Sequence, residues 1–439
     1  MRRLLYAALR GFTSVQHALH ERLTGAGWLA LGAAGLAGGL GIDTHRSLSH
    51  QAFGFLAALL LVALFAAPFF RPRVAAKREL PPYATAGVPL EYRVSVENIG
   101  PRPLRGATLV DTPREPRPTY SEWKDAREPG EERRNPFDRA MGYFRWRWLI
   151  ERRTPAPLEH VALPDLAPGE RATVRLSLTA RRRGRLEFAA LTAARTDFLG
   201  LARGLRRVPA EGRVVALPRR YRLPEIILPG ARRYQLGGVA LASSVGDSEE
   251  FIGLRDYRPG DPLHRLHWKS IARTGKPIVK EYQNEFFERH ALVLDTSTAA
   301  GEDAAFEAAV SIAASFVYAI DTRECLLDLL FVGGELRTYT AGRGQLRVEN
   351  MLEVLAGVAP SPRGEFERLA RAVLGQIQRL SSCIVVLLAW DEARRAFIGG
   401  LRASGLEVRA LLVSADQKPE SGLLIVDPAN IEAGLAKLR

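Results

Sequence analysis

Cysteine is scarce. Only Cys325 and Cys383 occur in 439 residues, which excludes a disulfide scaffold and a multi-cysteine zinc site and fits a reducing compartment. There is no Gly-rich loop with lysine to cradle phosphates, no nucleophile elbow and no His-rich zinc motif. Acidic residues are short in the first half. Residues 1–220 hold 36 basic against 20 acidic side chains, a balance of +16, whereas residues 221–439 hold 26 against 28, a balance of −2. The chain's net charge of +14 therefore belongs to the N-terminal half, which suits nucleic acid or an anionic membrane. Hydrophobic residues make up 47%, enough for ordinary cores and too many for a disordered chain. At about 100–200 residues per domain, the length predicts two to four units.

Two uncharged runs favour the membrane. Gly25–Ile42 spans 18 residues and Ala52–Phe70 spans 19, against the roughly 17–25 that cross a bilayer. The nine residues Asp43–Gln51 between them hold no domain, so residues 25–70 read as two transmembrane helices in a hairpin. The first run is rich in Gly and Ala, which also suits close helix contact. A signal peptide and a buried soluble hairpin are the alternatives; a second span after a run this long argues against the first. Arg2, Arg3, Arg10 and Arg22 precede the hairpin, and Arg71, Arg73, Lys77 and Arg78 follow it, while the loop carries Arg46. The positive-inside rule puts both termini in the cytoplasm, with residues 1–24 as a basic cytoplasmic N-terminus.

Over residues 80–220 the pattern turns to period two. Leu90–Asn98 alternates apolar and polar before Gly100-Pro101, and Ala172–Leu178 repeats this after Pro168-Gly169. Further short strands are expected at Arg185–Phe188 and Arg213–Leu217. Short strands with turn signals predict an immunoglobulin-like β-sandwich. Residues 112–160, rich in Pro and charge, read as a long insertion or mobile loop. Within them, Phe144–Ile150 (FRWRWLI) reads as a strand with one aromatic face or as an interfacial anchor with Trp among lipid headgroups.

Residues 221–290 hold the densest polar sequence. Phe251–Tyr282 carries Arg255, Arg258, Arg265, Lys269, Arg273, Lys276 and Lys280 against Asp256, Asp261 and Glu281, with Pro259-Gly260-Asp261 as a turn. Such a mixture predicts a polar network or a binding surface. Asp261, His264 and His267 have weak metal-ligand spacing, and no stacking array supports nucleic acid; none is expected as a partner. The segment resembles the signature of the "domain of unknown function 58" family of bacteria. The matching residues are Leu254, Arg255, Asp256, Tyr257, Arg258, Pro259, Gly260 and Asp261, then Arg265-Leu266-His267-Trp268-Lys269, then Ala272-Arg273-Thr274-Gly275-Lys276 and Val279-Lys280-Glu281. Arg183-Gly184-Arg185 and Thr196–Leu201 agree in order; the second keeps Asp197, Gly200 and Leu201 of the family's Asp-Pro-Phe-Gly-Leu type segment but lacks its Pro.

Residues 291–439 alternate buried strands with amphipathic helices. Strands are expected at Ala291–Leu294, Leu326–Val332, Cys383–Ala389, Glu407–Val413 and Leu423–Val426. Helices are expected at Asp303–Ile320, Val348–Ala356, Phe366–Leu380 and Asp391–Ser404. That order predicts a parallel α/β sheet with its site at the strands' carboxyl ends, where Asp295 stands. The resemblance implies a von Willebrand factor A-like, Rossmann-type domain, which holds a divalent metal through Asp-x-Ser-x-Ser plus a distant Thr and Asp. Here Asp295 and Ser297 match and Asp391 suits the distant acid. Ala299 replaces the second Ser, and Gly342–Gln345 stands where the Thr is expected. Mg²⁺ or Mn²⁺ at this degenerate site is one reading. The other has Asp295 cap the following turn and bond the signature arginines.

Function is expected to be non-catalytic: a membrane-anchored interaction or adaptor protein whose C-terminal domain binds partners. The resemblance implies a two-pass protein of the bacterial cytoplasmic membrane that works with a MoxR-type AAA ATPase and a transglutaminase-like membrane protein in complex assembly or maturation. The alternatives are a metal-dependent hydrolase centred on Asp295, Asp391 and the His264/His267 pair, and a purely structural membrane scaffold. The signature either recognises a partner or braces domains.

Overall fold

The computed structural model describes residues 2–40, 47–113, 117–128, 130–153, 160–224, 249–261, 263–284, 288–298, 303–320, 325–333, 335–342, 347–361, 364–415 and 421–438. Arg46, Ala299 and Arg343–Gln345, to which expectations were attached above, lie outside them. The chain divides into two units. One holds Met1–Tyr221, Thr298–Ser315 and Leu352–Pro362, the other Arg222–Ser297, Phe316–Met351 and Arg363–Arg439.

The first unit begins with helix α1 (Arg2–Arg22), then α2 (Gly25–Leu40) and α3 (Ser47–Ala66). Among the described residues one helix, Leu48–Phe70, is long and apolar enough to cross a membrane. α2 is apolar but only 16 residues long, so this measure gives one span where the sequence pattern suggested two. α2 and α3 pack together through Ala34, Leu60, Ala30, Leu56 and Leu64. A Cβ on Gly38 would meet the Phe53 ring at 3.2 Å, so this glycine permits the close approach.

Strands β1 (Val74–Glu79), β2 (Tyr83–Thr85), β3 (Pro89–Asn98), β4 (Ala107–Pro113), β5 (Val161–Ala162), β6 (Arg171–Thr179), β7 (Gly184–Thr196) and β8 (Arg203–Leu217) form two sheets, ordered β1-β3-β6 and β2-β8-β7-β4-β5. Val94, Val96, Leu176 and Leu178 from the first sheet share one core with Leu109, Leu191 and Val214 from the second. The period-two pattern drives this, since alternate side chains of β3 and β6 turn inward.

The segment after β4 departs from the expected strand or loop. It holds α4 (Tyr120–Asp125), α5 (Pro136–Met141) and α6 (Tyr143–Arg153). Thr119 and Glu122 form a capping box on α4, and Asn135 with Pro136 starts α5. Phe144–Ile150 is therefore helical, and Trp146 is fully buried beside Trp123, Leu149 and Leu9. Trp146, Leu149 and Ile150 share a helical face at i, i+3 and i+4, so this tryptophan is core and not a headgroup anchor. α1 supplies Leu5, Tyr6 and Leu9 to the same cluster, so residues 2–22 are a packed helix.

In the second unit, β9 (Glu249–Asp256) and β10 (Ile278–Asn284) form an antiparallel pair with α7 (Trp268–Thr274) in their connection. A six-stranded sheet follows from β11 (Glu288–Leu294), β12 (Cys325–Gly333), β13 (Glu335–Ala341), β14 (Ser382–Leu387), β15 (Glu407–Val413) and β16 (Leu423–Val426), ordered β13-β12-β11-β14-β15-β16. All pairs are parallel except β12–β13. The remaining helices of the chain are α8 (Asp303–Ala319), α9 (Val348–Gly357), α10 (Phe366–Leu374), α11 (Glu392–Ala403) and α12 (Ile431–Leu435). α10 and α11 cover the face of Val293, Val332, Val385 and Leu412. Leu292, Leu294, Leu329, Ile384 and Leu411 on the alternate face are buried too, as a doubly covered parallel sheet requires.

Candidate functional site

The chain runs from β11 outward to β12 and β13, then returns to β14 on the other side of β11. That reversal falls at the carboxyl ends of β11 and β14, the end at which α/β sheets bind ligands. Asp295 stands there, fully buried. Its backbone N–H donates to the Val386 carbonyl at 2.9 Å. Its Oδ1 accepts from the Ser297 N–H at 3.0 Å, and its Oδ2 accepts from the Leu388 N–H at 3.2 Å and from Arg394 Nε at 2.8 Å. Asp391 caps α11, accepting from the Arg394 N–H at 3.0 Å, and its second oxygen pairs with the same guanidinium. Arg394 lies over the Phe366 ring at 4.4 Å. Burial works against its charge, but the bond and attraction of Asp295, helped by Asp391, outweigh it, so its pKa lies above the ordinary arginine value.

This geometry decides between the two readings of Asp295. Asp295, Ser297 and Asp391 do gather at one strand end, but the charge between the carboxylates is a guanidinium. A divalent cation would have to displace Arg394 and take oxygens already used by N–H donors. The residues present do not fit a metal. No cluster of three or more His, Cys, Asp or Glu suited to a metal occurs among the described residues. Asp295 does cap its turn, but its arginine comes from α11 rather than from the signature. Sequence reasoning missed Arg394; its signal was an Asp-x-x-Arg pair at one-turn spacing just after a buried strand.

The signature builds a separate lock. Arg255 on β9 makes a two-pronged pair with Asp261, both bonds 2.7 Å. The Arg258 N–H donates to Asp261 at 2.8 Å, closing a turn in which Gly260 takes φ +106°. The Arg255 guanidinium, with that N–H, holds the Asp261 carboxyl down at about 2. The His267 ring bonds the Ser270 hydroxyl through Nδ1 at 2.6 Å, and the His267 backbone N–H donates to the Ile278 carbonyl at 2.9 Å. Asp261 and His267 are thus committed to the fold of the turn and of α7, and His264 is exposed, so they hold no metal together. Val279 is buried, Lys280 pairs in register with Leu254, and Tyr257 and Arg265 are half-buried. Asp256, Arg258, Pro259, Lys269, Ala272 and Arg273 face solvent, as does Trp268 with 69% of its surface exposed.

Two further buried polar groups were not legible as a site. Arg289 pairs with Asp328 in mid-sheet at 2.6 Å, and Thr340 donates to the same carboxylate at 2.6 Å. His290 is buried with its Nδ1 at 2.8 Å from Ser382 Oγ and Glu288 3.6 Å from its other nitrogen. Burial lowers its pKa, against the opposing pull of Glu288. A depressed folded pKa means that its contribution is complete above the unfolded value of about 6.5 and is lost as pH falls through the folded one. Hydrogen exchange of β11 and β14 should therefore speed up, beyond the intrinsic rate change, as pH drops below about 6.5. His290→Gln should flatten that slope; an unchanged slope would assign it to another group. Cys383 is inert, its thiol pushed up to about 12 by burial.

Fold and site together define a multidomain, mixed α/β protein in which an arginine-locked hairpin precedes a largely parallel sheet. Residues 253–429 match the model described as "Protein of unknown function DUF58". Over that region the chain is similar to the DUF58 family. It is 28% identical over 177 residues to the uncharacterized protein YeaD of Bacillus subtilis strain 168, covering 39% of this chain and 44% of that protein. The chain thus spans less than half of that relative's length. Among solved structures, the CARDB domain of a Pyrococcus furiosus protein aligns at 13% identity with a TM-score of 0.16, covering 32% of this chain and 95% of that one. A crystal structure of that domain with di-metal ions aligns at 12% identity and 0.18, covering 34% and 96%.

Proposed function

We propose that this chain is a membrane-anchored, non-catalytic adaptor. In this reading α2 and α3 cross the bacterial cytoplasmic membrane as a hairpin with both termini cytoplasmic. The two-sheet body is immunoglobulin-like, and the six-stranded domain is von Willebrand factor A-like. The signature surface recognises a partner with acidic and apolar character, a MoxR-type AAA ATPase, in assembly or maturation alongside a transglutaminase-like membrane protein.

One observation carries the reading. At the strand ends, where an enzyme of this fold would work, Arg394 occupies the Asp295 carboxylate, whereas the signature exposes Trp268, and Arg258, Lys269 and Arg273 of the same segment are exposed too. An exposed tryptophan in a segment with exposed arginines has the composition of an interface hot spot. The exposure of Arg273 favours recognition over bracing. The test is binding of a co-encoded MoxR-type ATPase to the full chain in nanodiscs, with and without nucleotide. Trp268→Ala should weaken it roughly thirtyfold, as loss of about 2 kcal/mol implies, with unchanged thermal unfolding. Absence of wild-type binding would remove this partner; equal binding by the variant would remove this surface.

A further inference from the structure

We propose that α1 lies in the plane of the membrane surface and, with the loop around Phe198, forms a lipid-contacting collar at the base of the hairpin. The proposal rests on the reading of α2–α3 as membrane-spanning and adds a contact surface to it.

The loop from Asp197 to Ala202 fixes the level of the bilayer surface. Thr24, at the entry to α2, donates through Oγ1 to the Gly200 carbonyl at 2.6 Å and through its N–H to the Leu201 carbonyl at 3.0 Å. A Cβ on Gly27 would strike the Leu201 carbonyl oxygen. At the exit of α3, Ala63 and Ala67 pack on Ala202, and Gly204 lies against the backbone of Ala67, Phe70 and Arg71. Both ends of the hairpin therefore rest on one loop. Beside them Phe198 is 65% exposed and 6.2 Å from the Phe70 ring, Phe69 is 89% exposed, and Arg195 lies over Phe70 at 5.8 Å. Exposed aromatics flanked by arginine at the end of an apolar helix are the composition of a membrane interface.

α1 ends two residues before that level and carries two apolar faces. One face, Leu5, Tyr6 and Leu9, is used against α4 and α6. A second stripe, Leu4, Ala8, Phe12 and Val15, beside the first on the helix surface, follows i, i+4, i+8, i+11 and is exposed, Phe12 by 62%. Arg2, Arg3, Arg10 and Arg22 against a single Glu21 make the helix basic. A basic helix with an exposed apolar stripe, joined to the foot of a membrane helix, matches an anionic bilayer; such a face sinks roughly 5–10 Å into the headgroup boundary.

Single cysteines for a fluorophore at Phe12, Phe198, His17 and Phe55, in the full chain in phosphatidylglycerol-containing nanodiscs with doxyl-labelled lipid, test this. The two native thiols are buried and do not compete. His17, on the far side of α1 from the stripe, is the solvent reference, and the exposed Phe55, deep in α3, reports the span. Phe12 and Phe198 should be quenched several-fold more than His17 by shallow quenchers, and Phe55 best by deep ones. Phe12 and Phe198 no more quenched than His17, with Phe55 quenched, would overturn the collar and leave the hairpin. Phe55 unquenched would overturn the hairpin, with Phe12 then deciding whether α1 binds lipid on its own.

Discussion

Arg394→Leu should loosen the parallel sheet by about 3–5 kcal/mol, the cost of leaving a buried charge without its partner. Asp295 would keep the Ser297 and Leu388 N–H donors but lose the only cation that its bonds reach among the described residues. The measurement is hydrogen exchange on peptides spanning 288–294 and 382–387 in the full chain, whose strands meet at that carboxylate. Asp295→Asn with Arg394→Leu should recover much of the loss, because removing both partners leaves no uncompensated charge. Unchanged protection in the single variant would show that the pair does not hold the strand ends. Mg²⁺ or Mn²⁺ should not slow exchange in the natural protein; a protecting effect would mean that a cation does enter beside Arg394.

The Asp295–Arg394 pair also shows what a sequence can and cannot disclose. Buried strands such as Ser382–Leu387 stand out because both faces of a parallel strand are apolar. Asp295 was visible because it follows such a strand. Its partner was not, because Arg394 lies 99 residues away and an arginine one turn into a helix is ordinary surface composition. The same holds for Arg78. Its position after the hydrophobic run marks it as a cytoplasmic flanking charge, yet its side chain is 1% exposed inside the two-sheet core. Tertiary pairing over 33 residues placed it there, and charge counting has no access to that. Phe144–Ile150 failed for a different reason. Alternating Arg and aromatic residues satisfy period two, while Trp146, Leu149 and Ile150 satisfy the helical period. The deciding contacts came from α1 and α4. The signature differed: Arg255, the Pro259-Gly260-Asp261 turn and Trp268 lie within 14 residues, so the turn and a polar network were legible locally, although the Arg255–Asp261 pair and the exposure of Trp268 were not.

Arg78→Met should damage the two-sheet unit on the same scale, about 3–5 kcal/mol at neutral pH. The Arg78 guanidinium pairs with Asp111, donates to the Ala190 carbonyl at 3.2 Å and lies over the Phe188 ring at 4.9 Å, while Tyr92 donates to Asp111 at 2.6 Å. Burial already pushes the Asp111 carboxyl above the ordinary range, against the bonds from Tyr92 and Arg78. Without Arg78 it rises further. A carboxyl whose folded pKa is raised favours the fold most below its unfolded value and loses that contribution as pH rises through the folded one. The variant should therefore be weakest at neutral pH and recover in part on acidification, as Asp111 takes a proton and keeps its bond to Tyr92. Exchange protection of β3 and β7, corrected for intrinsic rate, reads this locally and separates it from the opposite trend that His290 gives the parallel sheet. A loss equal at all pH values would mean that missing packing and carbonyl partners, not the stranded carboxylate, dominate. Asp111→Asn added to Arg78→Met should then leave the loss unchanged, whereas a stranded charge predicts that it removes both the pH dependence and much of the damage.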